Sequence, residues 1–152
     1  MQVFLVRHAE AVSETLELRD PNRHLTPLGR DQARAIGDRM RWHDCLATRI
    51  WSSPLVRAVQ TAELVAANLH DHIPVEVVPA LAPDGDARSV AAALRALGTG
   101  AVLIVGHEPL LSAIGSLVAG CEFPSLAKAQ AARIIDGRVR WRFAWDAEAA
   151  AR

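Results

Sequence analysis

Four residues of this chain have the side chains that phosphoryl chemistry uses. Arg7 and His8 directly follow a short apolar run, Arg57 follows a Ser-Ser-Pro sequence, and His107 follows a second apolar run. A guanidinium group is a planar fork of N–H donors that suits phosphate oxygens. A neutral imidazole can attack phosphorus and leave again from the resulting phosphoramidate. The four residues would form a phosphate pocket, provided that the fold brings them together.

The spacing of apolar residues predicts strands that alternate with helices. Strands are predicted at Gln2–Val6, at Ile50 and Trp51, at Val75–Val78 and at Ala101–Val105. Helices are predicted at Pro27–Trp42, from a cap at Ser52-Ser53-Pro54 to Leu69, at Ser89–Leu97 and at Leu110–Val118. The alternation predicts an α/β fold, a three-layer α/β/α sandwich with a mainly parallel sheet. Because such sheets bind ligands at the carboxyl ends of their strands, we expect the four residues to converge there.

The last part of the chain predicts a hairpin. Asp136-Gly137 lies between two apolar segments and indicates a two-residue turn, which would give the sheet an antiparallel edge. In the second arm four apolar residues alternate with arginines: Val139, Trp141, Phe143 and Trp145 with Arg138, Arg140 and Arg142. The alternation predicts one face on the core and one in water. It accounts for the arginine row by itself, so a binding role for these arginines stays open.

Composition limits the partners of the chain. Its 152 residues suit one domain, which we predict to span residues 1–152. Lysine plus arginine equals aspartate plus glutamate at 17 each, so no overall charge favours nucleic acid or an anionic membrane. The first apolar run is too short for a signal peptide or a membrane span, and we expect a cytoplasmic protein. Cys45 and Cys121 are isolated and are predicted to be buried free thiols.

Each of the four candidate residues also has an ordinary structural explanation. Arg7 and His8 could form a surface turn after their strand. His107 could cap the helix that follows it, and Arg57 could be an exposed helical charge. Taken singly, the residues leave these structural roles and a phosphate pocket both open.

Four blocks of the sequence resemble the motifs of one family. LVRHAE at residues 5–10 resembles the RHG signature of the histidine phosphatase superfamily, the phosphoglycerate mutase-like proteins. LTPLG at 25–29, followed by QA at 32–33, is similar to the family's LTxxGxxQA helix start. SSPLVRAVQTA at 52–62 is similar to SSPxxRAxQTA, and VGHEP at 105–109 to the VxHxP element. The blocks stand in the family's order and cover the chain from residue 2 to about 119.

The resemblance implies a mechanism and a substrate class. His8 would accept the phosphoryl group, while Arg7, Arg57 and His107 would hold the phosphate without a metal or any other cofactor. The sheet would have six strands, mostly parallel with one antiparallel strand. The short chain and the sequence LAPDGD at residues 81–86 are most similar to the SixA-like phosphohistidine phosphatases. The expected activity is hydrolysis of phosphohistidine on a protein, either a phosphotransfer domain or a carrier protein.

The chain departs from the superfamily pattern at the general acid. Many of these enzymes place a glutamate after the third strand, where this chain has Ala82-Pro83-Asp84-Gly85-Asp86. Asp84 or Asp86 could act as the acid, but a turn followed by a helix N-cap needs the same residue types, and we favour that structural role. Two alternative functions stay open: a small-molecule phosphomonoesterase, and a phosphate-binding module without catalysis.

Overall fold

The computed structural model describes residues 1–69 and 72–147, and these residues form six strands and four α-helices. The strands are β1 (Gln2–Arg7), β2 (Arg49–Ser52), β3 (Val75–Val77), β4 (Ala101–Gly106), β5 (Gln130–Ile135) and β6 (Arg138–Ala144). The helices are α1 (Pro27–Trp42), α2 (Val56–Ala67), α3 (Ala87–Leu97) and α4 (Leu110–Ala119). Two short 3-10 helices, Asp20–Asn22 and Pro79–Leu81, precede α1 and α3.

The six strands form one sheet in the order β3-β2-β4-β1-β5-β6. Strands β1, β2, β3 and β4 pair in parallel, whereas β5 runs antiparallel to both of its neighbours, β1 and β6. The predicted six-stranded, mostly parallel sheet with one antiparallel strand is confirmed. The reversed strand β5 lies inside the sheet, and the edge strand β6 runs in the same direction as β1.

Helices cover both faces of this sheet, which confirms the predicted three-layer α/β/α sandwich. In β1, Phe4 and Val6 pack into the core beneath α1 and α2, while Val3 and Leu5 pack into the core beneath α3 and α4. Every residue of β4 is buried, as expected for a central parallel strand with helices on both sides. The chemistry must therefore lie at the ends of the strands, since neither face is open.

A bulge in the β5–β6 hairpin changes the predicted alternation of β6. Val139 pairs with Ile134 and Trp141 pairs with Arg133, so Arg140 is an extra residue in β6. Because one inserted residue reverses which face the following side chains take, Val139 and Trp141 lie on opposite faces. Trp141, Phe143 and Trp145 pack against the core beneath α1 and α2, as predicted, but Val139 is exposed. The prediction of one continuous apolar face was wrong at Val139.

Three further details bear on the sequence predictions. The helix cap predicted at Ser52-Ser53-Pro54 was wrong, because α2 begins at Val56 with Leu55 as its N-cap and without a side-chain cap. Cys45 is buried as predicted, whereas Cys121 is exposed in the loop after α4. No helix of the described residues is both long and apolar enough to cross a membrane.

The start of α1 is fixed against the loop that follows β1. Thr26 is the predicted N-cap, and its side chain accepts a hydrogen bond from the Gly29 amide at 3.0 Å. Gly29 lies so close to the main chain of Glu10 that a β-carbon there would come within 2.0 Å of the Glu10 carbonyl oxygen. Glycine is therefore required where α1 crosses the residues next to His8.

We predict that Gly29→Ala destabilises the protein, because backbone at Glu10 must move to admit the methyl group. The free energy of unfolding should fall by about 1–3 kcal/mol, measured by urea denaturation. Arg30→Ala, on the exposed side of the same turn, should change it by less than about 0.5 kcal/mol. Equal stability of the two variants would contradict the close contact between α1 and this loop.

Candidate active site

Three adjacent strands bring the four candidate residues together. In the sheet β4 lies between β2 and β1, and Arg7 pairs with Gly106, so His8 and His107 follow the ends of neighbouring parallel strands. The centroids of the His8 and His107 rings are 5.0 Å apart. Arg57, the second residue of α2, is buried beside them, and its charge lowers the pKa of both histidines. The structure thus places all four residues at one end of the sheet.

The ring of His8 has a defined tautomer. Its Nδ1 atom lies 2.8 Å from the carbonyl oxygen of Ala9, and since a carbonyl only accepts, Nδ1 donates the hydrogen. Burial, together with the charges of Arg57, Arg7 and Lys128, lowers the pKa of His8 from 6.5 to about 4, against the opposing effect of the Ala9 hydrogen bond. The ring is therefore neutral near pH 7 and carries its lone pair on Nε2, which is the form that can attack phosphorus.

His107 is neutral for the same reason. Burial, together with His8 and the charge of Arg57, lowers its pKa to about 3. Its Nε2 atom is hydrogen-bonded to Oγ of Ser53 at 2.7 Å, and that oxygen also accepts from the Leu55 amide at 3.2 Å. This residue pair joins the end of β4 to the end of β2. Ser53 was noted in the sequence as a helix cap, and its contact with His107 was not predicted.

Arg7 is held by the main chain. Its Nη1 atom donates to the carbonyl oxygen of Leu126 at 3.0 Å, and its own carbonyl accepts from the Ala129 amide. The Nε atom of Arg7 is buried and finds no hydrogen-bond partner among the described residues, and the same holds for Nε of Arg57. Two buried N–H groups are thus available to the oxygens of an anion, which would satisfy them.

Arg57 is held by Asp20, a residue that the sequence analysis did not identify. Nη1 of Arg57 donates to the Asp20 carbonyl at 2.9 Å, and Nη2 lies 3.3 Å from Oδ2 of the Asp20 carboxylate. The hydrogen bond from Arg23 and the charge of Arg57 lower the pKa of Asp20, so it is a carboxylate. Burial lowers the pKa of Arg57, and Asp20 opposes that effect. Nothing in the local sequence around Asp20 marks it as a partner of a residue 37 positions away.

Polar residues of the sequence motifs fix the loop after His8. The Ala9 amide donates to Oγ1 of Thr61 at 3.1 Å, and the Glu10 amide donates to Oε1 of Gln32 at 2.9 Å. Gln60 accepts from the Leu25 amide at 2.8 Å. These side chains come from α1 and α2, so both helices position the loop on which the Nδ1 hydrogen bond of His8 depends.

The two candidate acids differ in their surroundings. Asp86 is the N-cap of α3, and its Oδ1 atom accepts from the amides of Arg88 and Ser89 at 3.0 and 3.3 Å. Asp84 lies in the exposed turn before it. These contacts support the structural role for Asp86, while a proton-donating role for either residue stays a hypothesis.

The arginine row does not form one surface. Arg142 donates to the carbonyls of Pro124 and Ser125 at 2.7 and 2.9 Å, and its guanidinium lies 4.8 Å from the centroid of the Phe123 ring. Arg138 and Arg140 are exposed.

In residues 1–69 and 72–147 there is no group of three or more His, Cys, Asp or Glu side chains placed to hold a metal ion.

Comparison with known proteins identifies the family. The model of the histidine phosphatase superfamily (branch 1) matches residues 3–82, more than half of the chain, including Arg7, His8 and Arg57. This protein belongs to the histidine phosphatase superfamily.

Within and beyond this family model, individual proteins of known sequence or structure are similar to this chain. The phosphohistidine phosphatase SixA of Escherichia coli (strain K12) is 38% identical over 122 residues, which are 78% of this chain and 73% of the relative. The structure of the protein histidine phosphatase SixA complexed with tungstate superimposes with a TM-score of 0.87 at 30% identity, over 95% of this chain and 97% of the other. A phosphoserine phosphatase of Entamoeba histolytica shares the fold, with a TM-score of 0.70 at 14% identity over 95% and 98% of the two chains.

We predict that the His8 and His107 rings stay neutral down to about pH 5 in the folded protein. Below pH 6.5 the unfolded chain binds protons at these histidines and the folded protein does not, so the free energy of unfolding falls as the pH drops from 7 towards 4. The contribution is at most about 1.4 kcal/mol per pH unit for each histidine. Ring chemical shifts in phosphate-free buffer and urea unfolding at several pH values measure both effects. In His8→Gln the free energy of unfolding should fall less steeply as the pH drops. A titration midpoint near pH 6.5 for either ring would contradict the prediction.

Proposed function

We propose that this protein hydrolyses phosphohistidine on other proteins through a covalent phosphohistidine intermediate on His8. The observation that carries the proposal is the neutral His8 ring, with its lone pair on Nε2, buried beside the guanidinium groups of Arg7 and Arg57. The match to SixA proteins supports the substrate class, since one carries the name phosphohistidine phosphatase and another is described with bound tungstate, a tetrahedral oxyanion like phosphate. We infer a single domain over residues 1–152 that acts in the cytoplasm.

The reaction would proceed in two displacements. In the first, Nε2 of His8 attacks phosphorus, the bond from phosphorus to the substrate imidazole breaks, and the leaving ring takes a proton from water. In the second, water attacks the phosphoryl group on His8, which releases inorganic phosphate and restores the neutral ring. Arg7, Arg57 and His107 would bind the phosphoryl oxygens and stabilise the negative charge spread over them in each transition state.

The nature of the leaving group favours phosphohistidine over alkyl phosphates. An alkoxide is strongly basic, so its departure gains about 10²- to 10⁴-fold from a positioned acid. An imidazole, with a pKa of about 6.5 for its conjugate acid, departs as a neutral ring once protonated and needs that help far less. Because Asp86 is already engaged as a helix cap, a site suited to the easier leaving group fits the residues present.

We predict that His8 is phosphorylated during turnover. Rapid quenching of wild-type protein with labelled phosphohistidine peptide, in EDTA, should trap an acid-labile, alkali-stable label that maps to His8. His8→Ala should lose the label and on the order of 10³-fold or more in kcat. His72→Ala, an exposed histidine, is the matched control and should keep both.

Two outcomes would contradict this mechanism. Substantial turnover by His8→Ala would show that another group accepts the phosphoryl, and binding of the peptide without turnover by the wild type would favour a phosphate-binding module. Activity that EDTA abolishes and one divalent ion restores would overturn the proposal that the arginines act without a metal.

We predict a much higher kcat/KM for phosphohistidine than for alkyl phosphomonoesters. Asp84→Asn and Asp86→Asn should each cost less than about tenfold on phosphohistidine. The Asp86 substitution is a clean test because asparagine is an equally good N-cap and leaves α3 intact. A preference for alkyl phosphates, or loss of phosphohistidine hydrolysis in either variant, would instead establish a small-molecule phosphomonoesterase with an acid at that position.

A further inference from the structure

The side chain of Arg7 is hydrogen-bonded to a residue of a distant loop. Nη1 of Arg7 donates to the Leu126 carbonyl at 3.0 Å, and the Leu126 amide donates to Oε1 of Glu108 at 3.0 Å. Glu108 and Arg7 therefore bind the amide and the carbonyl of the same main-chain residue. Leu126 is only 1% exposed and packs in the core beneath α3 and α4, so its main chain can shift only slightly when a hydrogen bond is lost.

The carboxylate of Glu108 is itself fixed by the first turn of α4. Its Oε2 atom accepts from the hydroxyl of Ser112 at 2.6 Å and from the Ser112 amide at 3.2 Å. Both oxygens of Glu108 are thus engaged by groups of this chain. A continuous series of hydrogen bonds leads from α4 through Glu108 and Leu126 to the guanidinium of Arg7.

The rest of the loop is held by contacts that do not involve the side chain of Arg7 or of Glu108. We refer to residues 123–129, the part of the loop before β5 that contains Leu126, as the 123–129 segment. Its Phe123 amide donates to Oγ of Ser116 at 3.0 Å, and Arg142 donates to the carbonyls of Pro124 and Ser125. Loss of the Glu108 contact should therefore loosen Leu126 locally and leave the segment in place.

We propose that Glu108 is a positioning residue for Arg7, acting through the main chain of Leu126. A planar guanidinium serves a phosphate well only when its N–H groups point at the oxygens, and the Leu126 carbonyl fixes the plane of Arg7 from one side. Glu108 lies next to His107 in sequence, so one residue links the end of β4 to the arginine of β1. The inference rests on the proposed phosphate-binding role of Arg7.

Tungstate affinity, measured by calorimetry on the full chain, tests this role without requiring turnover. Glu108→Ala should weaken tungstate binding by about ten- to a hundredfold, because Arg7 loses its fixed orientation. Glu108→Gln keeps an oxygen that can accept from the Leu126 amide but has no acceptor for the Ser112 amide, so it should weaken tungstate binding clearly less than Glu108→Ala does. Ser116→Ala, in α4, removes the hydroxyl that accepts from the Phe123 amide of the 123–129 segment. This variant should have a lower melting temperature but unchanged tungstate affinity.

A double-mutant cycle separates positioning from general destabilisation. If Glu108 acts through Arg7, Glu108→Ala should change tungstate affinity by less than about twofold in an Arg7→Ala background, while its effect on the melting temperature persists. An equal weakening in both backgrounds, or a Glu108→Gln variant as impaired as Glu108→Ala, would overturn the proposal. A wild type that binds tungstate but fails to hydrolyse phosphohistidine would count against the proposed function alone, because the cycle needs only the anion.

Discussion

Burial of Arg57, His8 and His107 next to the half-buried Arg7 is the constraint on which this site depends. Arg57 is 5% exposed, His8 5% and His107 4%, so these groups have lost most of their contact with water. A buried guanidinium is costly unless its donors are paired. The fold pairs them largely with main-chain carbonyls, those of Leu126 and Asp20, together with one carboxylate, that of Asp20. The loops that contain Leu126 and Asp20 are therefore held in fixed positions around the site.

The same burial determines the state of the histidines. In water an imidazole is partly protonated near neutral pH, and a protonated ring has no lone pair with which to attack phosphorus. Removal from water and two nearby guanidinium groups lower the pKa of His8 to about 4, which leaves the ring neutral with a free lone pair. One arrangement thus supplies positive charge for an anion and a neutral base beside it. A surface turn with the same residues would supply neither, which excludes the ordinary structural explanation for Arg7 and His8.

The sequence predicted the elements and the convergence of the four residues, because strand ends and helix periodicity are local signals. It did not predict contacts between distant residues. Asp20 reaches Arg57 across 37 positions and Glu108 reaches Leu126 across 18, and neither has a local signature. The extra residue Arg140 in β6 was equally invisible, since a bulge depends on how β5 and β6 pair. Local patterns therefore gave the fold and the candidate site residues, while the groups that orient those residues required the structure.

The sequence blocks that resemble the family motifs also supply side chains that hold the loop after His8. Thr26, the N-cap of α1, binds the Glu10 carboxylate and the Gly29 amide, and Gln32 of α1 accepts from the Glu10 amide. Gln60 and Thr61 of α2 accept from the amides of Leu25 and Ala9. They hold the loop after His8, in which the Ala9 carbonyl sets the tautomer of the His8 ring. The family model ends at residue 82, before β4, so it covers this half of the site alone. The other half contains His107 and the 123–129 segment, and it contacts the first through Arg7, whose side chain donates to the Leu126 carbonyl and whose own carbonyl accepts from the Ala129 amide.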